Sequence, residues 1–305
     1  MIGPPNRIPP NAEKYISYMQ FLSVTIAGLG AGAMYAVIAV CLVLMTRLIR
    51  VINFAQVAVG VYAAFCAIRL QPLGWPDWSI AAFAIVLGAI VSLVIGFVVA
   101  FWLSNSSSGA KSAVTTLALL GLMSLSYLQF GTQPQAVRPI FQGPSFSIGG
   151  ATVTNLSIAL LVLAVCVSAV ATSVLNLTPV GLRLRALADR PGTAELIGIN
   201  TMGLQLGLWA VTGAVMTTAI MFAGNSQAPQ ASVDISLIIP GAAAALAAGF
   251  KRFSIAIIAG LLLGAVQGLC SLFPELIVLR FWIPLVLICI LLIRSERGAV
   301  WDVAR

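Results

Sequence analysis

The chain has 305 residues, of which 60% are hydrophobic and 8% charged, and its mean hydropathy is +1.07. Soluble domains lie nearer a quarter charged, so this composition excludes a water-soluble globule and requires lipid as solvent for most of the exterior. The net charge of +8 does not indicate a nucleic-acid partner: the basic residues stand in ones, twos and threes between apolar runs, not in a patch or stripe.

In chain order, residues 1–16 are proline-rich and read as an extracytoplasmic N-terminal segment. No cleavable signal peptide is evident, because the apolar run that follows is too long for one. Helices need roughly 20 apolar residues to cross the hydrocarbon, which predicts spans near 17–46, 54–70, 79–103, 112–130, 155–176, 203–224, 236–250, 254–272 and 280–294. The expected fold is therefore an all-α polytopic bundle of about nine spans, with eight or ten also compatible. Residues 17–294 form the membrane domain and 295–305 a cytoplasmic tail. The first span is long enough to be tilted or broken, and Gly28-Leu29-Gly30-Ala31-Gly32 marks either a break or a close helix contact. The second and seventh are short, as half-helices or re-entrant elements would be. Trp75-Pro76-Asp77-Trp78 places two indoles at an interface. The segment 131–154 reads as an ordered outer loop.

Alternating the spans puts eleven Lys and Arg residues on one side and five on the other. The richer side is expected to be cytoplasmic, with the N-terminus outside and the C-terminus inside. Histidine is absent, which removes the commonest general base and metal ligand. The five cysteines (Cys41, Cys66, Cys166, Cys270, Cys289) sit inside apolar runs without metal-ligand spacing and read as small hydrophobes. Acidic and basic residues are nearly missing from mid-span, which argues against an ion-coupled carrier using buried carboxylates and against a hydrolase. Ser108-Gly109-Ala110-Lys111-Ser112 fails as a phosphate loop, since Ala110 and Asn105 stand where glycines are required. No ATP or metal site is expected on this chain. Gly260, Gly264 and Gly268, four apart on one helix face, predict close helix packing.

The segment 181–200 carries two short helical pieces with Pro191-Gly192 as the turn between them. Leu184, Leu187 and Ala188 share a face, with Arg183 and Arg190 off it. That is the shape of a short helix lying across the membrane surface and open to a cytoplasmic partner. A solvated connecting loop fits the bare pattern equally.

Here the sequence resembles a known family. Arg185-Ala186-Leu187-Ala188-Asp189, then Ala194 and Gly198-Ile199-Asn200, is similar to the R-A-x-A-[ED]…A…G-I-N signature of branched-chain amino-acid ABC transporter permeases. Tyr35-Ala36-Val37-Ile38-Ala39 followed by Ile52-Asn53-Phe54-Ala55 resembles that family's Y-A-L-I-A…I-N-F-A block, and a Gly-rich run at 259–268 is a looser match. Two places depart from the pattern: Gln56-Val57-Ala58 stands where the family has His-Gly-Glu, and Ala247-Ala248-Gly249-Phe250-Lys251-Arg252 replaces a Gly-Gly-x-Gly-Ser stretch.

The resemblance implies an inner-membrane importer of several chains. A second permease, expected to be a paralogue, would complete the pathway; two cytoplasmic ATPases would carry ATP and Mg; an external binding protein would deliver the solute. It assigns coupling to the ATPase to Arg185, Ala186, Asp189, Ala194 and Gly198, with Asp189 either pairing with the ATPase or capping its own second helical piece. For the pathway we nominate Asn53 and Gln56, and also Tyr35; a helix broken at Asn53 would aim its N-terminal dipole at an anionic group. Asn53 as a plain helix cap is the competing reading. A stand-alone secondary carrier or a membrane scaffold are the alternatives to a permease subunit.

Overall fold

The structure is a computed structural model describing residues 10–104, 106–131, 146–148, 151–153, 155–223, 231–276 and 278–302. Its long apolar runs are helices because lipid offers backbone groups no partner, so each segment must satisfy its own. They are α1 (Pro10–Ile49), α2 (Gln56–Ile68), α3 (Asp77–Trp102), α4 (Ser108–Phe130) and α5 (Asn155–Leu177), then the short α6 (Pro179–Asp189) and α7 (Pro191–Leu196), and finally α8 (Thr201–Ala223), α9 (Ala231–Ala247), α10 (Phe253–Cys270) and α11 (Leu279–Asp302). Among the described residues seven helices are long and apolar enough to cross a membrane, and 236–247 and 279–293 add two shorter apolar stretches. The chain is a polytopic helical bundle. Among the described residues one antiparallel hairpin, β1 (Phe146–Ile148) with β2 (Ala151–Val153), stands between α4 and α5 and lies against α1.

Helix α1 is the axis. It runs 40 residues without interruption, about 60 Å at 1.5 Å per residue, and touches α5, α8, α9 and α10. The Gly28–Gly32 cluster is thus not a break. It is the surface on which α10 lies, antiparallel: a Cβ on Gly28 would stand 2.5 Å from the Gly264 carbonyl oxygen, one on Gly268 2.7 Å from that of Val24, and one on Gly260 2.7 Å from the Ala36 nitrogen. Gly264 sits directly on the Gly32 backbone. Only glycine allows this approach, and in lipid such van der Waals contact is a main source of helix association.

A second seam joins α3 to α8, where the Trp209 side chain occupies the space left by Gly96 and Gly213 fits against Gly88 and Ser92. Helix α2 lies against α3 and α8 and also meets α4. Of the apolar windows, α1 is 72% buried but α4 and α5 only 17% each. Their outward faces, with Leu117, Leu128, Val162 and Val170 exposed, suit contact with lipid or a neighbouring subunit. Trp75 and Trp78 are exposed at the α2–α3 connection.

Candidate functional site

The segment between α5 and α8 folds into two helices meeting at Arg190. Thr178 starts α6, its Oγ1 accepting from the Gly181 N–H at 3.1 Å, an N-cap that occupies one orphan donor. Leu184 and Leu187 are buried, whereas Arg183, Arg185, Asp189 and Arg190 are exposed and Ala186 is intermediate. The amphipathic face read from the sequence is thus the face on the bundle, where α6 meets α5 and α1. In α7, Ala194 is buried. Gly198, at φ +81°, ends that helix: its N–H donates to Glu195 O and the Ile199 N–H to Ala194 O, at 2.9 and 3.0 Å. This paired bonding around a left-handed residue is a Schellman cap. Asn200 then caps α8, its Oδ1 accepting from Gly203 N–H at 2.8 Å, and Thr201 Oγ1 donates to Glu195 Oε1 at 2.6 Å. The Gly-Ile-Asn triplet therefore closes one helix and opens the next.

Facing outward, this segment presents Leu182, Leu196 and Ile197 at 64%, 88% and 70% exposure beside the free ends of Arg183, Arg185 and Asp189. A cavity of about 460 Å³ opens next to it, lined by Arg183, Ile197, Gly198, Ile199, Asn200 and Leu204, among others. No side-chain cap is made at the start of α7; Asp189 does not close that helix. Instead the Asp189 carbonyl accepts from Arg50 Nη2 at 3.4 Å. Arg47 donates to Lys251 O at 3.4 Å and stands over the Phe253 ring at 5.9 Å, a cation–π contact. Neither arginine is marked by a sequence pattern; both lie at the end of a span, as loop charges commonly do.

The second polar locus is the 50–55 break between α1 and α2. The chain reverses at Arg50, which has φ +56°, and residues 51–54 leave the helix. Ile52 N–H donates to Ser112 Oγ at 3.1 Å and Phe54 N–H to Thr115 Oγ1 at 3.2 Å, while Thr115 Oγ1 lies 2.9 Å from Ile52 O and 2.7 Å from Ser112 O. Two α4 hydroxyls thus stand in for a ladder partner. Asn53 and Gln56 are each 1% exposed. Asn53 Oδ1 accepts from Ala55 N–H at 3.1 Å, and Gln56 Nε2 donates to Ile38 O at 3.3 Å. Among the described residues Asn53 Nδ2 and Gln56 Oε1 have no partner. Tyr35 is elsewhere: its hydroxyl donates to Gln267 Oε1 at 2.7 Å, and Gln267 Nε2 to Arg280 O at 3.1 Å, a link from α1 through α10 to the start of α11.

Among the described residues no three His, Cys, Asp or Glu side chains gather as metal ligands would. Residues 24–294 match the family described as branched-chain amino acid transport system permease component. The chain belongs to this family. The high-affinity branched-chain amino acid transport system permease protein BraD of Pseudomonas aeruginosa is 24% identical over 263 residues, spanning 81% of each chain. The protein is thus a transport permease component rather than an enzyme, and both loci described above fall inside the matched region.

Proposed function

We propose that this permease is one half of the pathway of an ATP-driven importer for branched-chain or other small amino acids or related organic solutes. The observation that carries the reading is the α6–α7 segment: a folded element seated on α5 and α1, with exposed leucines, an isoleucine and exposed charges. Motion transmitted through such an element requires contacts that differ between two states. Arg185, Ala186, Asp189, Ala194 and Gly198 shape it, the first and third as contacts and the last two as its fold.

In this reading residues 181–200 face the cytoplasm, residues 1–16 are outside, residues 17–294 form the membrane domain and 295–305 the inner tail. ATP and Mg reside on two partner ATPases, a second permease completes the pathway, and an external protein supplies solute. Asn53 and Gln56 belong to the pathway; Tyr35, tied to Gln267, supports it from behind. The test is reconstitution of this chain with its partners in proteoliposomes. Amino-acid uptake that requires ATP and the ATPases is expected; uptake by this chain alone on an ion gradient would sink the reading.

A further inference from the structure

We infer that the N-terminal end of α2 is a binding site for a small zwitterionic solute, the carboxylate lying at Asn53 and the first turn of α2 and the ammonium group at Gln56 Oε1. The inference rests on the pathway reading above and adds the atoms that would hold the solute.

Position comes first. Gln56, the first residue of α2, reaches the carbonyl of Ile38, and Ile38 precedes the end of α1 by eleven residues, about 16 Å along the axis. The non-helical 51–54 stretch therefore runs back along α1, and α2 begins deep in the bundle, not at its edge. The first intrahelical bond there is Val59 N–H to Ala55 O at 2.9 Å. The N–H groups of Gln56, Val57 and Ala58 precede it and have no acceptor within the helix, and they carry the positive end of its dipole.

Two side chains then point to a ligand. Asn53 folds over this end, giving its oxygen to Ala55 N–H and leaving a buried Nδ2 donor unpartnered. Gln56 uses its nitrogen on Ile38 and leaves a buried Oε1 acceptor unpartnered. Buried polar atoms are nearly always paired, so an orphan donor and an orphan acceptor three residues apart form an incomplete set. One molecule bearing an anionic acceptor and a cationic donor on adjacent atoms completes it.

Charge selects the class. Residues 24–46 of α1, and all of α2, α8 and α10, contain no Asp, Glu, Lys or Arg, and the charges nearest in the chain and on α4, Arg50 and Lys111, are engaged by the carbonyls of Asp189 and Ser104. A lone anion or cation would be buried without a counter-charge, at high cost, whereas a zwitterion brings its own. Both amides are shut off in the described arrangement, so loading requires the 51–54 stretch to part from Ser112 and Thr115.

The test is equilibrium binding of labelled L-leucine to the purified permease–ATPase complex in nanodiscs, without solute-binding protein. Saturable binding is expected, with 4-methylpentanoate (no ammonium) and isoamylamine (no carboxylate) competing at least about tenfold more weakly, a difference of about 1.4 kcal/mol. Asn53→Asp keeps the capping oxygen and turns the donor into a second acceptor. It should weaken leucine by a similar factor, whereas a purely capping Asn53 predicts no loss of binding. No saturable leucine binding, equal competition by either half-molecule in the wild type, or unchanged binding in Asn53→Asp would overturn the site. The wild-type competition series decides even where the variant fails to fold. With the external binding protein added, ATP-driven uptake by a complex that shows no such binding would remove the site and leave the permease reading standing; absence of uptake under those conditions would remove that reading itself.

Discussion

Arg50 reaches across from the end of α1 to the end of α6, its Nη2 lying 3.4 Å from the carbonyl oxygen of Asp189. The contact joins the last residue of the α6 helix, part of the proposed coupling element, to the helix that forms the axis of the bundle. Because α1 is in turn packed on α10 through glycine contacts, the proposed coupling would have a displacement of α6 act on two spans together. The same arginine occupies the left-handed region, φ +56°, where a side chain costs roughly 1–2 kcal/mol, so its conformation is imposed by the reversal after α1.

Arg50→Gly removes the guanidinium while suiting the backbone. The expected result is a complex that assembles and melts as the wild type does, with ATP hydrolysis retained and ATP-driven uptake reduced several-fold. Unchanged uptake at equal ATP turnover would show that α6 acts on the bundle without this contact.

Reversing two exposed charges on α6, Asp189→Arg with Arg185→Glu, is expected to abolish ATP-driven uptake and to weaken recovery of the ATPase in a mild-detergent pull-down. The permease should still fold, because both side chains are exposed and surface substitutions typically change stability by no more than about 0.5 kcal/mol. A scaffold with no pathway would leave uptake indifferent to the pair.

Gly264→Ala puts a methyl group against the Gly32 backbone and must push α1 and α10 apart. Overpacking of this kind costs about 1–3 kcal/mol, read as a lower melting temperature in detergent. Gly121→Ala in α4, with nothing near its position, is the matched control and should be neutral or stabilising by up to about 1 kcal/mol. Equal melting shifts would mean that the α1–α10 contact is not close.

Thr115→Val keeps shape and deletes the hydroxyl that holds Ile52 and Phe54. Leaving buried backbone groups unpaired costs about 1–3 kcal/mol, and the 50–55 break should exchange amide hydrogen faster. Thr116→Val, whose exposed hydroxyl bonds only within its own helix, should change neither quantity.

The amphipathic face of α6 was legible because helical spacing alone places Leu184 and Leu187 together, and the structure buries both. The family blocks were legible as residues but not as roles: Gly198 and Asn200 act as a helix end and a helix start. Tyr35 and Asn53 are both pathway candidates in the sequence. They separate only because Tyr35 meets Gln267, 232 residues later in the chain. Ser112 and Thr115 carried a faint signal, two hydroxyls one helical turn apart, without a stated partner.

Hydropathy is a property of each segment, so the sequence by itself determined that this chain lives in lipid, where its apolar helices fall, and that a basic amphipathic strip interrupts them. Pairing between segments is not local, and the tertiary structure alone decided it. That α1 continues through its glycines follows from α10 filling the space beside them. That α2 starts in the interior follows from Gln56 finding Ile38 and from α4 hydroxyls satisfying the stretch before it. Backbone polar groups removed from water must find partners wherever the fold supplies them, and the fold places those partners far away in the chain.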